Sequence, residues 1–227
     1  ADELRLLARV LERHPHVWVL SDEIYEHYVY GTTVHVSFTT CATTLRQRTL
    51  TVNGVSKTYR MSGWRIGSAG GPSPLLDAID TLMSQSTGGV CSISQAAAVA
   101  ALTGPQDCVS AIRQDFTRRR DLMISRLAEI ANFACLPPNG TFYVFPDCKA
   151  YLDTVSPCGH DIATDHDLCA YLLETANVAV VYGEAYGCPG HLRFSFATTD
   201  ERIILGCDRV AAALGKLKPK TSVWTTL

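Results

Sequence analysis

Long apolar runs are missing from this sequence. The longest, Ala96–Leu102, is Ala-rich and seven residues long, against the roughly 20 that a bilayer-crossing helix needs, so a membrane-spanning protein is excluded. A surplus of either charge is missing too. Lys and Arg total 20, Asp and Glu total 22, and the formal net charge is -2. Without a basic excess there is no electrostatic footprint for a phosphate backbone, and nucleic acid is not expected as a partner. Closely spaced cysteines are also absent. The nine cysteines never fall closer than ten positions apart, so no C-x-x-C half-site for zinc exists. Their odd number in a chain of this size points to reduced thiols and a cytoplasmic location. Cys158, His160 and His166 lie near Asp153 and Asp161. That segment reads as a polar loop around Pro157 and Gly159 rather than a rigid ligand frame, and no metal is expected. Arg5 and Arg9 interrupt the apolar residues near the start, so nothing there reads as a secretory signal. There are no repeats and no low-complexity tracts.

What is present is ordinary globular composition, 47% hydrophobic and 19% charged over 227 residues, enough for one large domain or two small ones. Leu4, Leu7 and Leu11 recur at helical spacing until Pro15. A buried strand is expected at His16–Leu20, with others at Thr49–Val52 and Ile66–Ala69. A chain that opens in a finished helix leading into a strand reads like the middle of an α/β domain, so a C-terminal portion of a longer polypeptide is expected. Helices are expected at Pro74–Ser84 (with Leu75, Ile79, Leu82 and Met83 on one stripe), at Ser94–Leu102 and from Gln106 to about Ala131. Arg118–Arg120 reads as a solvated face of the last. After the Pro137–Gly140 turn, strands are expected at Thr141–Phe145, Val178–Tyr182 and Leu192–Phe196, and helices at Asp165–Thr175 and Thr199–Leu214. The tail from Lys216 reads as frayed. The fold class is therefore α/β. Residues 1–115 form the C-terminal part of a larger, mainly parallel domain, and residues 116–227 a small α+β domain, joined by the long helix.

The chemistry concentrates in two segments. In Thr51–Gly67 (TVNGVSKTYRMSGWRIG) a strand runs into a small-residue turn followed at once by Lys57. Ligands of open α/β sheets bind beyond the carboxyl ends of strands, where a lysine can form a Schiff base. Arg65, eight residues on, is a bidentate donor suited to a phosphate. In Ser21–Tyr25 (SDEIY) the first strand delivers Asp22 at its carboxyl end, with Tyr25 three residues later. An acid for a ring nitrogen, a phenol for a ring hydroxyl, a lysine for an aldehyde and a cation for a phosphate together suit a pyridine cofactor.

SDEIYEHYVYG, NGVSKTYRMSGWRIGSAGGP, PPNGTFYVF and HLRFSFATT resemble, in order and spacing, the class I/II pyridoxal-phosphate-dependent aminotransferases of fold type I. The likeness is nearest to the prokaryotic-type aspartate aminotransferase branch, and it runs from about residue 2 to about residue 215. It implies that the chain lacks roughly the first two-fifths of the family's length. It implies pyridoxal 5'-phosphate as cofactor, with Lys57 as Schiff-base lysine and proton carrier. Asp22 then pairs with the pyridine nitrogen, Tyr25 with the ring hydroxyl, and Arg65 and Ser56 with the phosphate. Arg193 clamps the substrate α-carboxylate. The implied partners are an amino acid and a 2-oxo acid, expected to be aspartate and 2-oxoglutarate, turned over by a ping-pong mechanism. A homodimer is implied, with Ser84–Thr87 near the neighbour's cofactor. Another enzyme on the same scaffold (a C–S lyase or an aminocyclopropane-type cyclase) and a catalytically silent fragment are the alternatives. Arg60 stands where the family has a small or apolar residue and is expected to be solvated. Gly54 replaces a serine found in some members. Met83 precedes Ser84-Gln85-Ser86-Thr87 where one branch has an arginine for a distal carboxylate.

Overall fold

The computed structural model describes residues 1–220, and the chain divides into two compact units between Arg113 and Gln114. In the first unit, helix α1 (Asp2–Glu12) carries Asp2 and Glu3 in its first turn and Arg9 in its last, the arrangement the helix dipole favours. Its packed arc is Leu4, Ala8 and Leu11. They meet Phe38 of a one-turn helix α2 (Phe38–Cys41), Ala42, Leu45 and Val19. Leu7, expected on this stripe, is 50% exposed, because at 3.6 residues per turn it falls on the flank of that arc. Around the helix end at Pro15, the Arg48 guanidinium donates to the carbonyls of Leu11, His14 and Val17.

Strand β1 (Val19–Asp22) begins later than the apolar pattern suggests and ends on Asp22. It runs parallel to β2 (Thr49–Gly54), with Asp22 opposite Val52. Strand β3 (Gly67–Gly70) closes the sheet antiparallel to β2, so these three strands make a mixed sheet. Trp18 and Leu20, expected to be buried, are 57% and 66% exposed, since no described segment covers them. Helices α3 (Ser73–Ser86) and α4 (Ser92–Thr103) follow. No residue of α3 is buried, and Leu82 and Met83 of its expected stripe are exposed. Helix α5 (Asp107–Ala128) crosses the boundary between the units.

In the second unit α5 contributes Phe116, Met123 and Leu127 to a core shared with Phe133, Val144, Phe194 and Phe196. Strand β4 (Tyr143–Val144) precedes a short hairpin, β5 (Thr154–Val155) with β6 (Asp161–Ile162). That hairpin corrects the polar-loop reading of the segment. Helix α6 (Asp165–Ala176) starts in a capping box in which Thr164 and Asp167 satisfy each other's backbone N–H groups. Strands β7 (Val181–Tyr182) and β8 (Leu192–Ser195) complete a sheet in the order β4-β8-β7, antiparallel throughout. Helix α7 (Asp200–Leu214) buries Ile203, Cys207 and Val210. Part of the tail expected to fray is paired: β9 (Lys218–Pro219) joins β5, and Lys220 meets Asp161. The rest of that tail lies outside the described residues. The Arg118–Arg120 face is not simply solvated. Arg118 and Arg119 both reach Asp115 and Asp200, and the Arg119 and Arg120 side chains are only 17% and 16% exposed. All nine cysteines are free thiols, burial pushes those of Cys148 and Cys207 up to about 12 and about 11, and no described residues form a metal-holding group. No described helix is long and apolar enough to cross a membrane.

The turn between β7 and β8 tolerates no side chain at Gly183. A Cβ there would lie 2.2 Å from the Cys188 carbonyl oxygen and 2.9 Å from His191 Cβ. Gly183→Ala is therefore expected to destabilise the protein by about 1–3 kcal/mol or more. Gly206→Ala, inside α7 where a Cβ meets nothing within 4 Å, should stabilise it by ~0.5–1 kcal/mol. Urea-unfolding midpoints moving in opposite directions would bear this out, and a silent Gly183→Ala would contradict the packing.

Candidate active site

Parallel pairing sets the carboxyl ends of β1 and β2 on one rim. The ladder continues one step past β1, where the Glu23 N–H donates to the Val52 carbonyl at 2.9 Å. Two side-chain bonds then tie the segments that leave the strands. Asn53 Nδ2 donates to Glu26 Oε1 at 2.8 Å, and the Tyr28 hydroxyl donates to the Lys57 carbonyl at 2.8 Å. Asp22 is exposed at this rim, and one of its oxygens accepts the Ile24 N–H at 3.2 Å. The Lys57 ammonium lies 5.8 Å from the centre of the Tyr25 ring, within cation–π range. Asp22, Tyr25 and Lys57 thus belong to two adjoining segments, with Tyr25 and Lys57 in direct approach.

The turn that carries Lys57 is built from local bonds. Tyr59 N–H reaches the Val55 carbonyl and Arg60 N–H the Lys57 carbonyl, while Val55 and Thr58 are buried on either side. Ser56 is half-buried. Arg60 and Arg65 both adopt left-handed backbone, with φ of 55° and 53°, a conformation that costs a non-glycine residue energy. Arg65 is exposed and donates to the Ser62 carbonyl at 2.9 Å. Arg60 is exposed as well.

In the second unit, alternation along β8 decides which way Arg193 faces. Leu192, Phe194 and Phe196 are buried, which turns Arg193 to the opposite side. There its guanidinium carbon lies 4.4 Å from the Tyr143 ring centre and 4.9 Å from that of Tyr186. Tyr143 pairs with Ser195 across β4 and β8, so it meets Arg193 as a diagonal neighbour. Among the described residues no carboxylate pairs with Arg193. Its charge lies against two aromatic rings instead.

Sequence reasoning missed three residues of this layout. Tyr143 lies within the PPNGTFYVF segment, but the segment assigns it no role, and Tyr186 carried no motif signal. Glu23 was legible only as the neighbour of Asp22. It is 7% exposed, and its carboxylate accepts from Ser21 and Ser37 hydroxyls at 2.9 Å each, Phe38 N–H at 3.1 Å and a His35 ring nitrogen at 3.2 Å. It therefore pins the 35–38 segment against the base of the Asp22 turn. Burial pushes the Glu23 carboxyl up, but the bonds from Ser37, Ser21, Phe38 and His35 outweigh it, leaving the group below its ordinary value.

A family model described as aminotransferase class I and II matches residues 1–210. The chain belongs to that family, and its fold is that of the fold type I aminotransferases. It is similar to the aspartate aminotransferase of Rhizobium meliloti (strain 1021), 49% identical over 217 residues, which are 96% of this chain and 53% of the relative. It is 44% identical to a probable aspartate/prephenate aminotransferase of Rhizobium leguminosarum bv. phaseoli, over 96% of this chain and 54% of that protein. The crystal structure of the aspartate aminotransferase from Rhizobium meliloti matches with a TM-score of 0.91 at 48% identity, covering 96% of this chain and 54% of that one. The chain spans about half the length of the curated relatives it matches.

A carboxyl held below its ordinary value contributes stability above its unfolded value near 4.5, and loses that contribution as pH falls through the folded value. Glu23→Gln keeps the shape but offers one acceptor oxygen to four donors. It should cost about 1–3 kcal/mol at pH 7 and flatten the loss of stability as pH falls below the unfolded value. Urea titrations at several pH values measure this, and an unchanged acid limb would rule out the assigned role of Glu23.

Proposed function

We propose that this chain supplies the Schiff-base lysine, the ring-binding acid and the carboxylate-binding arginine of a pyridoxal-phosphate-dependent aminotransferase. The complete enzyme moves the amino group of aspartate to 2-oxoglutarate. The observation that carries the reading is Lys57, delivered by β2 beside the Tyr25 ring, with Asp22 at the end of the paired strand β1. Kinship with proteins named aspartate and aspartate/prephenate aminotransferases supports this over a C–S lyase or a cyclase. Because the chain is about half as long as these relatives, the activity is proposed for the complete polypeptide, as a homodimer in the cytoplasm.

The donor set fits the cofactor. An acid, a phenol, a primary amine and a bidentate cation come from one sheet rim and the turn that follows it, and the lysine already approaches the phenol ring. When bound, pyridoxal phosphate supplies an aldehyde for the amino group and a ring that takes up the electron pair left by the α-proton. Asp22 would pair with the ring nitrogen and keep it protonated. Tyr25 would hydrogen-bond the ring hydroxyl, and Arg65 with Ser56 would hold the phosphate. Lys57 Nζ would take the α-proton and return it to the former aldehyde carbon, two atoms away, a general base–acid step of the kind worth ~10²–10⁴-fold. Arg193 orients the substrate by its α-carboxylate, a fork-to-fork pairing that lysine does not reproduce. The two half-reactions run in alternation on amino acid and oxo acid.

Borohydride reduction in the presence of pyridoxal phosphate, followed by peptide mapping, is expected to label Lys57. Label concentrated on Lys149, Lys216 or Lys218 would overturn the assignment. Asp22→Asn keeps the outline of the side chain and its capping of Ile24 N–H, but removes the charge that holds the ring proton. It should slow α-proton removal by orders of magnitude and leave the melting temperature nearly unchanged. A helix-capping role alone tolerates Asn as well as Asp, so transamination at the parental rate would decide for the cap.

A further inference from the structure

We propose that Asp165 is a positioning residue for the Arg193 guanidinium, acting through Tyr186. The inference rests on the reading that Arg193 receives the substrate carboxylate. Arg193 lies between two rings that are held in different ways. Tyr143 belongs to β4 and is fixed by strand pairing. Tyr186 is 51% exposed and sits in the tight turn at Gly183–Tyr186, so its place depends on how the 183–191 segment is closed.

Asp165 does that closing. It is the first residue of α6 and only 2% exposed. The helix cap does not need it, because Thr164 and Asp167 already form the capping box. Instead a single oxygen, Oδ2, accepts two backbone N–H groups, Glu184 and Gly190, each at 3.0 Å. These are the two ends of the stretch that carries Tyr186. Within it, Gly183 N–H reaches the His191 carbonyl at 2.8 Å and Cys188 N–H the Gly183 carbonyl at 3.0 Å. Tyr186 also meets the Phe145 ring edge-on at 6.2 Å. A carboxylate taken out of water is costly unless hydrogen bonds repay it, and here they go to a segment whose one exposed aromatic covers Arg193. With two rings against the guanidinium, rotation about its long side chain is restricted, and the planar edge that a carboxylate binds keeps one direction.

The test uses the complete aminotransferase that contains this chain. Tyr186→Leu and Asp165→Ala should each raise the KM for both the amino acid and the 2-oxo acid on the order of tenfold. They should weaken succinate, an unreactive carboxylate probe followed by calorimetry, by a similar factor. kcat should stay within about twofold and cofactor absorbance should be retained. The double variant should be no worse than either single one, the mark of residues acting as a unit. Asp165→Asn, whose amide oxygen can still accept both N–H groups, should restore near-parental KM. If Asp165→Ala does not accumulate as folded protein, Glu184→Pro decides, since it deletes one of the two N–H groups without touching the carboxylate. Arg193→Lys separates the two levels of the argument. If it leaves KM and succinate binding unchanged, the carboxylate reading itself falls. If it impairs both while the Asp165, Glu184 and Tyr186 variants bind carboxylates normally, or lose kcat and cofactor alone, only the positioning role falls.

Discussion

The parallel pairing of β1 with β2 is the constraint on which the site depends. Antiparallel strands would have put Asp22 and Lys57 at opposite edges of the sheet. With Asp22 opposite Val52, each strand ends on the same rim, and everything that follows is local. Glu23 extends the ladder by one bond, Asn53 reaches back to Glu26, and Tyr28 holds the Lys57 carbonyl. A shift of register by one residue would turn every side chain of a strand to the other face. Four residues of correct pairing therefore carry the placement of an acid, a phenol and an amine.

The second unit shows two ways of holding arginine, and the contrast indicates where charge remains available. Arg118 and Arg119 are matched by Asp115 and Asp200, and Arg126 by Glu129 and Asp208. These pairs, part exposed and part half-buried, neutralise the guanidinium. Arg193 is treated differently, with ring faces in place of carboxylates. Contact with ring faces leaves the in-plane donors unspent, which is what the proposed carboxylate-binding role of Arg193 requires.

Much of this was legible in the sequence, for a physical reason. The segments that bring Asp22, Tyr25 and Lys57 to one rim follow from short strand-and-turn patterns, and the helices have strong periodicity or clear stop signals. What escaped was set by tertiary partners. Glu23 reads as a surface acid until Ser37, Phe38 and His35 converge on it from a distant segment. Asp165 reads as one more acidic residue at a helix start, and its two acceptor bonds depend on a turn some twenty residues away. The arginine triplet looks solvated because its counter-charge at Asp200 lies on another helix. The short β5–β6 hairpin and the β9 pairing are too brief to leave a period-2 signal.

The buried reading of Trp18 and Leu20 failed in a more instructive way. Apolar patterning reports that a face needs cover and does not report which residues provide it. In this chain those side chains, with Leu82, Ile93, Val99 and Leu102, face outward, and the chain spans about half the length of its curated relatives. Burial contributes only when water is actually excluded. The hydrogen bonds named at the rim lie within these residues, while Leu20 of the same sheet is open to water. Geometry and stability separate here: the short-range bonds around Asp22 and Lys57 set where the functional groups point, and the covering of β1, α3 and α4 sets how firmly that arrangement is held.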